Sequence, residues 1–481
     1  PLTIDRRSFF LVPLLPLDAV QARASQTKPD EKPNIILCMA DDQGWGDTAY
    51  NGHPYLRTPN LDEMAASGIR FDRFYAGAPV CSPTRGSALT GRHPFRYGIY
   101  FANVGHMKRQ EVTLAEALKL LGYTTGHFGK WHLGTLTNDI RDGRRGGQQK
   151  QHYSPPWENG FDVCFSTEQA VPTWDPMKDQ PIPTKYWVGP GEYATTNLEG
   201  DDSRVIMDRV IPFIRNAVKQ RKPFFAVVWF HSPHSPVRAG PQYRAMYKEF
   251  DEDEQHYWGC ITAMDEQIGR LRRTLRDLGI EQNTMFWYTS DNGPEGRDPF
   301  RGRNRGSTGG LRGRKRSLFE GGIRVPGLLV WPERIPHSRR TSIPCCTSDY
   351  YPTVLDVLGL KVPGQPQPVD GVSLLPLIEG QMHERPRPIG FQTRDGDLET
   401  AQSRFGSPPL ALIDNRYKLL SYLDEARVTD DMLFDLALDS GERHNLAQER
   451  PDLVQSLKKI LAEWKASCER SEQGADYDES G

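Results

Sequence analysis

The residues best suited to covalent chemistry lie in one short run, in which Cys81 is followed by Pro83, Thr84 and Arg85. Pro83 fixes φ and suits the first turn of a helix, so Cys81 is predicted at or just before a helix N-terminus. Unpaired backbone N–H groups and the helix dipole favour an anion there, and Arg85 adds a guanidinium fork for oxyanions. A lone cysteine is more often a buried structural thiol. The residues around Cys81 favour a reactive position instead.

Polar clusters also follow the ends of four predicted strands, and ligands of open α/β sheets bind outside the carboxyl ends of the strands. Singly, each acidic pair fits a cap or a turn. Together they favour a site for a hard cation, Ca²⁺ or Mg²⁺, which offsets the repulsion between adjacent acids. The clusters are Asp41-Asp42 after residues 35–40, Lys130-Trp131-His132 after 123–128, His231 to His234 after 224–230, and Asp291-Asn292 after 285–288.

The elements that must position these clusters are predicted to form an α/β fold. Short apolar runs alternate with helical patterns, the longest of which places apolar side chains on one face over residues 261–278. Such alternation is typical of a large mixed, mostly parallel sheet sandwiched by helices. Thr58 is predicted to cap a helix that Gly68 ends, and Thr113 with Glu116 has the spacing of a capping box.

The pattern changes after residue 370. We predict a catalytic α/β domain over residues 33–370 and a small C-terminal α+β subdomain over 371–481. Within the subdomain, strands are expected at 386–391 and 410–422, and a final helix over 451–468.

Two further regions offer groups for a substrate. Residues 135–198 are rich in Pro, Gly, Trp and Arg without periodicity, which predicts long loops around a site. Their Trp174, Tyr186 and Trp187 can stack on sugar rings or pack among themselves. Residues 297–316 hold seven arginines and one lysine against a single aspartate. This fits either a positive funnel for a polyanionic carbohydrate or a solvated loop.

Composition argues against several classes of function. The 481 residues include 60 Lys and Arg against 62 Asp and Glu, a formal net charge of −2, so we expect no nucleic-acid partner. Mean hydropathy is −0.62, and without a long apolar run beyond the N-terminus no membrane span is expected. The seven cysteines lack C-x-x-C spacing and do not suggest a disulfide scaffold or a zinc site, and we interpret Cys345 and Cys346 as free thiols.

Residues 1–24 have the pattern of an export signal. Arg6 and Arg7 form a basic start, residues 9–17 a short apolar stretch, and residues 22–24 an A-x-A cleavage site. The paired arginines also resemble a bacterial twin-arginine signal. We therefore predict an exported protein, periplasmic or secreted, by the twin-arginine or the Sec route. The alternative is a disordered terminus with a chance apolar patch.

The run Cys81–Arg85 has the form C-x-P-[ST]-R, which resembles the signature of the sulfatase family. Type I, arylsulfatase-like members of this family depend on formylglycine and belong to the alkaline-phosphatase-like superfamily. The resemblance covers nearly the whole chain after the signal, from Pro33 through residues 41–47 and the G-K-W-H-L-G motif at 129–134 to residues 433–447.

The resemblance implies a nucleophile and a metal. Cys81 would be oxidised to formylglycine by a maturation enzyme, and the hydrate of that aldehyde would attack sulfur while Arg85 stabilises its ionised form. A Ca²⁺ ion, with Mg²⁺ as the alternative, would be held by Asp41, Asp42, Asp291 and Asn292.

The remaining roles also follow from the resemblance. Lys130 and Lys315 would bind the sulfate oxygens as charge spreads over them. His234 would protonate the departing alcohol as general acid, and His132 would take the proton whose removal expels sulfate. His231 is expected to be structural.

The predicted function is hydrolysis of a sulfate ester, aryl or more often carbohydrate, so the substrate is a sulfated small molecule or glycan. One alternative is a phosphonate or phosphate ester hydrolase with the same nucleophile, which relative rates on aryl sulfates and aryl phosphates would separate. Another is a catalytically silent protein that binds sulfated glycans. The retained C-x-P-T-R core, together with Lys130, His132 and His234, argues against silence.

Overall fold

Alternating strands and helices make up residues 32–145, 150–296, 303–394 and 406–477, the part of the chain that the computed structural model describes. The export signal predicted over residues 1–24 lies outside it. The strands are β1 (Asn34–Ala40), β2 (Ile69–Phe71), β3 (Phe74–Tyr75), β4 (Thr124–Lys130), β5 (Val163–Thr167), β6 (Trp187–Gly189), β7 (Glu192–Tyr193), β8 (Phe224–Trp229), β9 (Thr284–Ser290), β10 (Arg324–Val325), β11 (Gly327–Val330), β12 (Arg339–Thr341), β13 (Cys345–Cys346), β14 (Ile389–Gln392), β15 (Leu410–Ile413), β16 (Tyr417–Ser421) and β17 (Met432–Asp435). The α-helices are α1 (Pro59–Ser67), α2 (Cys81–Thr90), α3 (Leu114–Lys119), α4 (Asp202–Lys219), α5 (Pro241–Ala245), α6 (Glu252–Asp277), α7 (Glu320–Ile323), α8 (Tyr350–Val357), α9 (Leu375–Ile378) and α10 (Pro451–Glu472).

The main sheet of the described residues has ten strands in the order β12-β2-β11-β9-β1-β8-β4-β5-β6-β7. The five central strands, from β9 to β5, run parallel, and antiparallel strands join at both sides. This confirms the predicted large mixed, mostly parallel sheet. Because the central strands are parallel, their carboxyl ends meet at one edge.

Helices cover both faces of the sheet, which explains the continuous apolar run of β1. Ile36 and Cys38 pack into a core shared with α1, α4 and α6, whereas Ile35 and Leu37 pack into a second core shared with α2, α3 and α8. A strand buried on both faces cannot alternate apolar and polar side chains. Among the described residues, no helix is long and apolar enough to cross a bilayer.

Several local predictions are confirmed. Thr113 and Glu116 form the capping box at the start of α3, and all seven cysteines are free thiols. Helix α1 ends before Gly68, but the side chain of Thr58 does not cap it; its hydroxyl oxygen accepts a hydrogen bond from the backbone N–H of Ala49 at 2.9 Å.

The long-loop prediction for residues 135–198 misses three strands of the main sheet, β5, β6 and β7. β5 lies beside β4, and its sequence, Val-Cys-Phe-Ser-Thr, is too short and too mixed to stand out from the surrounding loops. The sequence signal for a five-residue strand without clear alternation is therefore weak.

The C-terminal part of the chain forms a separate four-stranded antiparallel sheet, β14-β15-β16-β17, and α10 packs against it. The single strand predicted over 410–422 is wrong: β15 and β16 form a hairpin. Asp414 and Asn415 lie in the turn between them, and both residue types favour turns because their side chains bond nearby backbone. The domain boundary between residues 370 and 371 stays a prediction.

Candidate active site

Carboxylate and amide side chains converge where β1 and β9 end side by side. The backbone N–H of Asp42 donates to Oδ1 of Asp291 at 3.0 Å, and Nδ2 of Asn292 donates to Oδ1 of Asp42 at 2.7 Å. Asp41, Asp42, Asp291 and Asn292 are all buried. The structure thus brings together the four oxygen-bearing residues predicted at these strand ends.

Three buried cations face these acids. Arg85 donates to Asp291 at 2.7 Å, and Nζ of Lys130 donates to Oδ2 of Asp41 at 2.7 Å. Nζ of Lys315 lies 2.5 and 2.7 Å from the two carboxylate oxygens of Asp42. We call these three cations and the four residues above the strand-end cluster. Its formal charges balance, three positive against three negative.

Cys81 lies beside this cluster as the first residue of α2, as predicted for its Pro and Arg context. Its Sγ and single carboxylate oxygens of Asp41 and Asp291 all lie within 4.8 Å of one another. Arg85 sits one turn along the same helix, and its guanidinium packs over the ring of Trp229 at 5.1 Å. The thiol and the guanidinium are therefore held by one rigid element.

His132 follows β4 and has one free nitrogen. Its Nε2 lies 2.8 Å from Oδ1 of Asn103, so Nε2 carries the hydrogen, and the buried Nδ1 has no hydrogen-bond partner among the described residues. Burial, then the charges of Lys130 and Arg145, lower the pKa of His132 well below its ordinary value. The imidazole is neutral, and Nδ1 offers a lone pair.

His234 faces Asp42 on the cavity wall. Its Nδ1 donates to the carbonyl oxygen of Ser235 at 2.6 Å, which leaves Nε2 facing Oδ2 of Asp42 at 3.7 Å. Burial lowers the pKa of His234 to about 3, although Asp42 opposes the shift. His231, expected to be structural, is buried and pairs with Asp202 at 2.8 Å, away from the strand-end cluster.

The strand-end cluster borders a cavity of about 880 Å³. Asp42, Cys81, Lys130, His132 and Lys315 all line it, and so does His234. Away from these residues the wall is rich in polar side chains, which include Asn103, Arg144, Gln169, Arg238, Arg303 and Asn304.

The donor set fits a hard divalent cation. Within the described part of the chain, Oδ1 of Asp41 and Oδ1 of Asn292 are buried without a hydrogen-bond partner, and carboxylate and amide oxygens are the ligands that Ca²⁺ and Mg²⁺ prefer. Burial, then the neighbouring Asp41, raises the pKa of Asp291 to about 7. Burial also opposes ionisation of Asp42, but Lys315 holds the pKa of Asp42 below its ordinary value. Close acids of unequal pKa are the pattern that a shared cation relieves.

Three residues near the site escaped sequence reasoning. Asn103 fixes His132, Arg145 donates to the carbonyl oxygen of His132 at 3.2 Å, and Glu295 pairs with Arg316. Asn103 has φ 68°, a conformation that Asn tolerates better than most residues. An Asn two residues before Gly105 was the only sequence signal for it, and a weak one.

The basic segment and the loop aromatics have partners inside the protein. Arg303 lies 3.1 Å from Glu252, and Arg305 lies 2.7 Å from Asp253, both at the acidic first turn of α6. Arg316 pairs with Glu295, so these three are not the free charges of a positive funnel; Arg297 and Arg301 lie outside the described residues. Trp174, Tyr186 and Trp187 are not among the residues that line the cavity.

Known proteins share this sequence pattern. The sequence model of the sulfatase family matches residues 33–360, and that of the N-sulphoglucosamine sulphohydrolase C-terminal region matches residues 313–467. N-acetylgalactosamine-6-sulfatase of Canis lupus familiaris is 33% identical over 382 residues, which cover 74% of this chain and 68% of the relative. Arylsulfatase A of Homo sapiens is 31% identical over 461 residues, 89% of this chain and 87% of the relative.

The fold is shared as well. The crystal structure of Ps i-CgsB in complex with k-i-k-neocarrahexaose superposes with a TM-score of 0.75 at 26% identity, covering 94% of this chain and 96% of that one.

Proposed function

This chain belongs to the sulfatase family and hydrolyses sulfate esters, and we propose that the ester it cleaves is carried by a carbohydrate and that its nucleophile is made from Cys81. The observation that carries the proposal is one constellation: Cys81 at a helix N-terminus, beside paired acids and three buried cations, on the wall of one cavity.

The metal part of the proposal rests on the unpartnered oxygens of the strand-end cluster. Asp41, Asp42, Asp291 and Asn292 would hold Ca²⁺, with Mg²⁺ as the alternative. When bound, the ion supplies Lewis acidity that lowers the pKa of a hydroxyl on residue 81 and stabilises charge on the sulfate group.

The nucleophile part rests on the position of Cys81. An aldehyde hydrate made from this side chain by a formylglycine-generating maturation enzyme supplies two hydroxyls on one carbon, one to attack sulfur and one whose deprotonation releases sulfate. Mass spectrometry of the tryptic peptide Phe74–Arg85 tests it. Only unmodified cysteine at position 81 in fully active protein would overturn this part.

The cations would orient the sulfate group. Lys130 and Lys315 both line the cavity and carry flexible ammonium groups that can turn from Asp41 and Asp42 to sulfate oxygens. Arg85 is buried and fixed by Asp291 and by the carbonyl oxygen of Lys130 at 3.1 Å. It would therefore provide a stationary positive charge beside residue 81 while the lysines bind the substrate.

The two histidines would move protons at opposite sides of the sulfur. Nδ1 of His132 has a lone pair and is suited to take a proton. Nε2 of His234 faces the acids and is suited to protonate the departing alcohol. The low pKa of His234 means that this role needs the added negative charge of a bound sulfate ester, which raises the pKa of a neighbouring imidazole.

A carbohydrate substrate is supported by the cavity wall and by the relatives. The volume of about 880 Å³ is large for a sulfate group alone, and Gln169 and Asn304 on the wall can bond hydroxyl groups. The names N-acetylgalactosamine-6-sulfatase and N-sulphoglucosamine sulphohydrolase refer to sulfated amino sugars, and the Ps i-CgsB complex holds a neocarrahexaose.

A panel of sulfated mono- and oligosaccharides, assayed beside p-nitrophenyl sulfate and p-nitrophenyl phosphate, tests the substrate. We expect the highest kcat/KM on one of the sulfated sugars and a far lower value on the phosphate ester. A preference for the phosphate ester would favour the phosphonate or phosphate hydrolase. Binding of sulfated glycans without any turnover would favour the silent binding protein.

We also propose export, on the pattern of residues 1–24 alone. Replacing Arg6 and Arg7 by lysine and fractionating expressing cells tests the route. Loss of exported activity would support twin-arginine export, and unchanged exported activity would exclude it. Retention of the unaltered protein in the cytoplasm would exclude export.

A further inference from the structure

A second group of buried charges lies between the four-stranded C-terminal sheet and the three-stranded sheet β10-β3-β13. Lys418 on β16 contacts Oε1 of Glu320 at 3.0 Å and Oε1 of Glu442 at 2.9 Å. All three residues are at most 1% exposed, and we call them the junction cluster. Removing one partner of a buried ion pair leaves an uncompensated charge, so each member depends on the others.

The junction cluster touches the segment that carries Lys315. We call residues 311–323 the Lys315 segment, and Glu320 is part of it. The segment reaches both sides of the site, since the backbone N–H of Arg316 donates to the carbonyl oxygen of Pro79 at 2.9 Å, and that of Gly293 donates to Gly322 at 2.9 Å. Pro79 precedes Cys81 by two residues, and Gly293 directly follows Asn292.

Tight packing makes this segment rigid. A Cβ added to Gly322 would lie 2.0 Å from the carbonyl oxygen of Ser317, and one added to Gly321 would lie 2.3 Å from that of Gly313. A Cβ on Gly293 would lie 1.9 Å from the carbonyl oxygen of Gly321. A shift at one end of the segment is therefore transmitted to its other contacts.

The C-terminal part of the chain anchors the segment at three points. Oε2 of Glu442 accepts the backbone N–H of Glu320 at 2.6 Å, and Arg312 donates to the carbonyl oxygen of Glu442 at 3.2 Å. The backbone N–H of Leu318 donates to Oγ of Ser407 at 3.1 Å. These contacts lie on both sides of Lys315 in sequence.

We propose that Lys418 and Glu442 are positioning residues that hold the Lys315 segment, and through it the Lys315 ammonium group, in register with residue 81. The four-stranded C-terminal sheet then helps to position a residue of the sulfate site, although its strands contribute no residue to the cavity wall near Cys81. This inference rests on the proposed role of Lys315 in binding sulfate.

The test compares two buried cations at the boundary between the same two sheets. Lys418→Met removes the charge of the junction cluster. Arg385→Met is the matched control, because Arg385 is 4% exposed and pairs with Asp349 at 2.7 and 2.8 Å. In the described part of the chain its guanidinium donates to no residue of the Lys315 segment. Both variants are measured as full-length, metal-loaded enzyme below their melting temperatures.

Binding of inorganic sulfate by calorimetry and turnover of p-nitrophenyl sulfate are the readouts. We expect Lys418→Met to raise the Kd of sulfate about tenfold and to lower kcat/KM on the order of 10²-fold, the size of a misplacement of about 1 Å. Arg385→Met should stay within about twofold of wild type on both, although it too is destabilised. Equal losses in the two variants would overturn the inference.

A milder pair keeps the test decisive if Lys418→Met does not fold. Glu442→Gln retains an acceptor for the N–H of Glu320 but loses its charge, and Ser407→Ala removes only the contact to Leu318. Weakened sulfate binding in both, with melting temperatures near that of wild type, supports the inference, and wild-type binding in both overturns it. If wild type hydrolyses no sulfate ester, the proposed function fails, and sulfate binding still decides the role of Lys418.

Discussion

The strand-end cluster and the junction cluster contain the same types of buried charged residue but differ in their surroundings. Both gather carboxylates and cations that are almost fully buried. Lys418 faces one carboxylate oxygen each of Glu320 and Glu442 within 3.0 Å and lines no cavity of the site. The strand-end cluster borders the cavity, and two of its oxygens, on Asp41 and Asn292, have no hydrogen-bond partner.

Backbone conformation, in contrast, does not separate the two clusters. Asp42 has φ 67° and His132, beside the strand-end cluster, has φ 59°, a region that side chains with a Cβ rarely occupy. In the junction cluster, Glu442 has φ 54°, whereas Glu320 and Lys418 follow ordinary helix and strand geometry. Such strain persists only where the surroundings enforce it, and it collects at functional sites. Neither buried charge nor a positive φ alone therefore marks a site. Oxygens that have neither a hydrogen bond nor an ion pair among the described residues, together with an adjoining cavity, do.

The largest effect that separates the clusters is expected at Cys81. Cys81→Ala removes the proposed nucleophile, and kcat should fall on the order of 10⁶-fold, as when the nucleophile of a covalent enzyme is deleted. The melting temperature should change little, because Cys81 is small and lines the cavity. Turnover of p-nitrophenyl sulfate and differential scanning calorimetry measure the two quantities. Residual activity within tenfold of wild type would show that another group attacks sulfur.

The next effect concerns the metal. Asp291→Asn should lose bound Ca²⁺ and lower kcat/KM on the order of 10³-fold, because a metal contributes several kcal/mol of charge stabilisation. Asp349→Asn is the control, since Asp349 is an equally buried carboxylate that pairs with Arg385. It should keep its metal. Inductively coupled plasma mass spectrometry of both proteins measures metal content, and equal content would remove Asp291 from the ligand set.

Sequence patterns were sufficient for the carboxylate and amide residues of the strand-end cluster, because these residues follow strand ends. Lys315 was expected only from the family resemblance. Asp41 and Asp291 follow continuous apolar runs, and parallel strands place their carboxyl ends at one edge without further information. Lys130 was expected after its strand and is instead its last residue. The error is small because strand ends are loosely specified by pattern.

The junction cluster could not be predicted in the same way. Glu320, Lys418 and Glu442 are far apart in sequence, and each alone resembles an ordinary exposed charge. They meet only because the four-stranded C-terminal sheet packs against the Lys315 segment. The periodicity of a local sequence does not predict such a contact. Asn103 is a similar case, because its role depends on where an irregular loop places it relative to His132.

A smaller effect tests the histidine of the strand-end cluster and the residue that fixes it. His132→Ala should lower kcat about 10²-fold or more, the usual contribution of a general acid or base. Asn103→Leu keeps the imidazole but frees its orientation, so its loss in kcat should be smaller, with KM nearly unchanged. Steady-state kinetics on p-nitrophenyl sulfate measure both. A loss in Asn103→Leu that appears only in KM would make Asn103 a substrate contact instead.

The smallest effect concerns buried carboxylates that lack a cation, a third case beside the two clusters. Asp201 caps α4 and accepts the backbone N–H of Arg204 at 2.9 Å. Oδ1 of Asp142 accepts the backbone N–H of Lys185 at 3.2 Å. Neither aspartate forms an ion pair in the described part of the chain. Burial raises the pKa of Asp201 to about 8 and that of Asp142 to about 7. In these two aspartates, which have no cationic partner, burial therefore raises the pKa. In Asp42 the neighbouring Lys315 lowers it.

This direction fixes the pH dependence of stability. A carboxyl whose pKa is higher in the folded than in the unfolded protein binds its proton more tightly when folded. Its stabilising contribution is complete below the ordinary pKa of an aspartate and is lost as the pH rises towards 8 for Asp201. Asp201→Asn keeps the cap, because Asn is an equally good N-cap residue, but cannot ionise. Between pH 5 and pH 8, the free energy of unfolding of wild type should therefore fall by about 4 kcal/mol more than that of Asp201→Asn. Urea denaturation at both pH values measures the difference.

Asp208→Asn, on the same helix, is the control. Arg270 lies 2.6 Å from Asp208. Burial raises the pKa of Asp208, but the hydrogen bonds from Asn197 and Arg270 outweigh it, and the net pKa is lowered. That variant should lose stability at both pH values without flattening the slope, and an unchanged slope in Asp201→Asn would show that Asp201 is ionised in the folded protein.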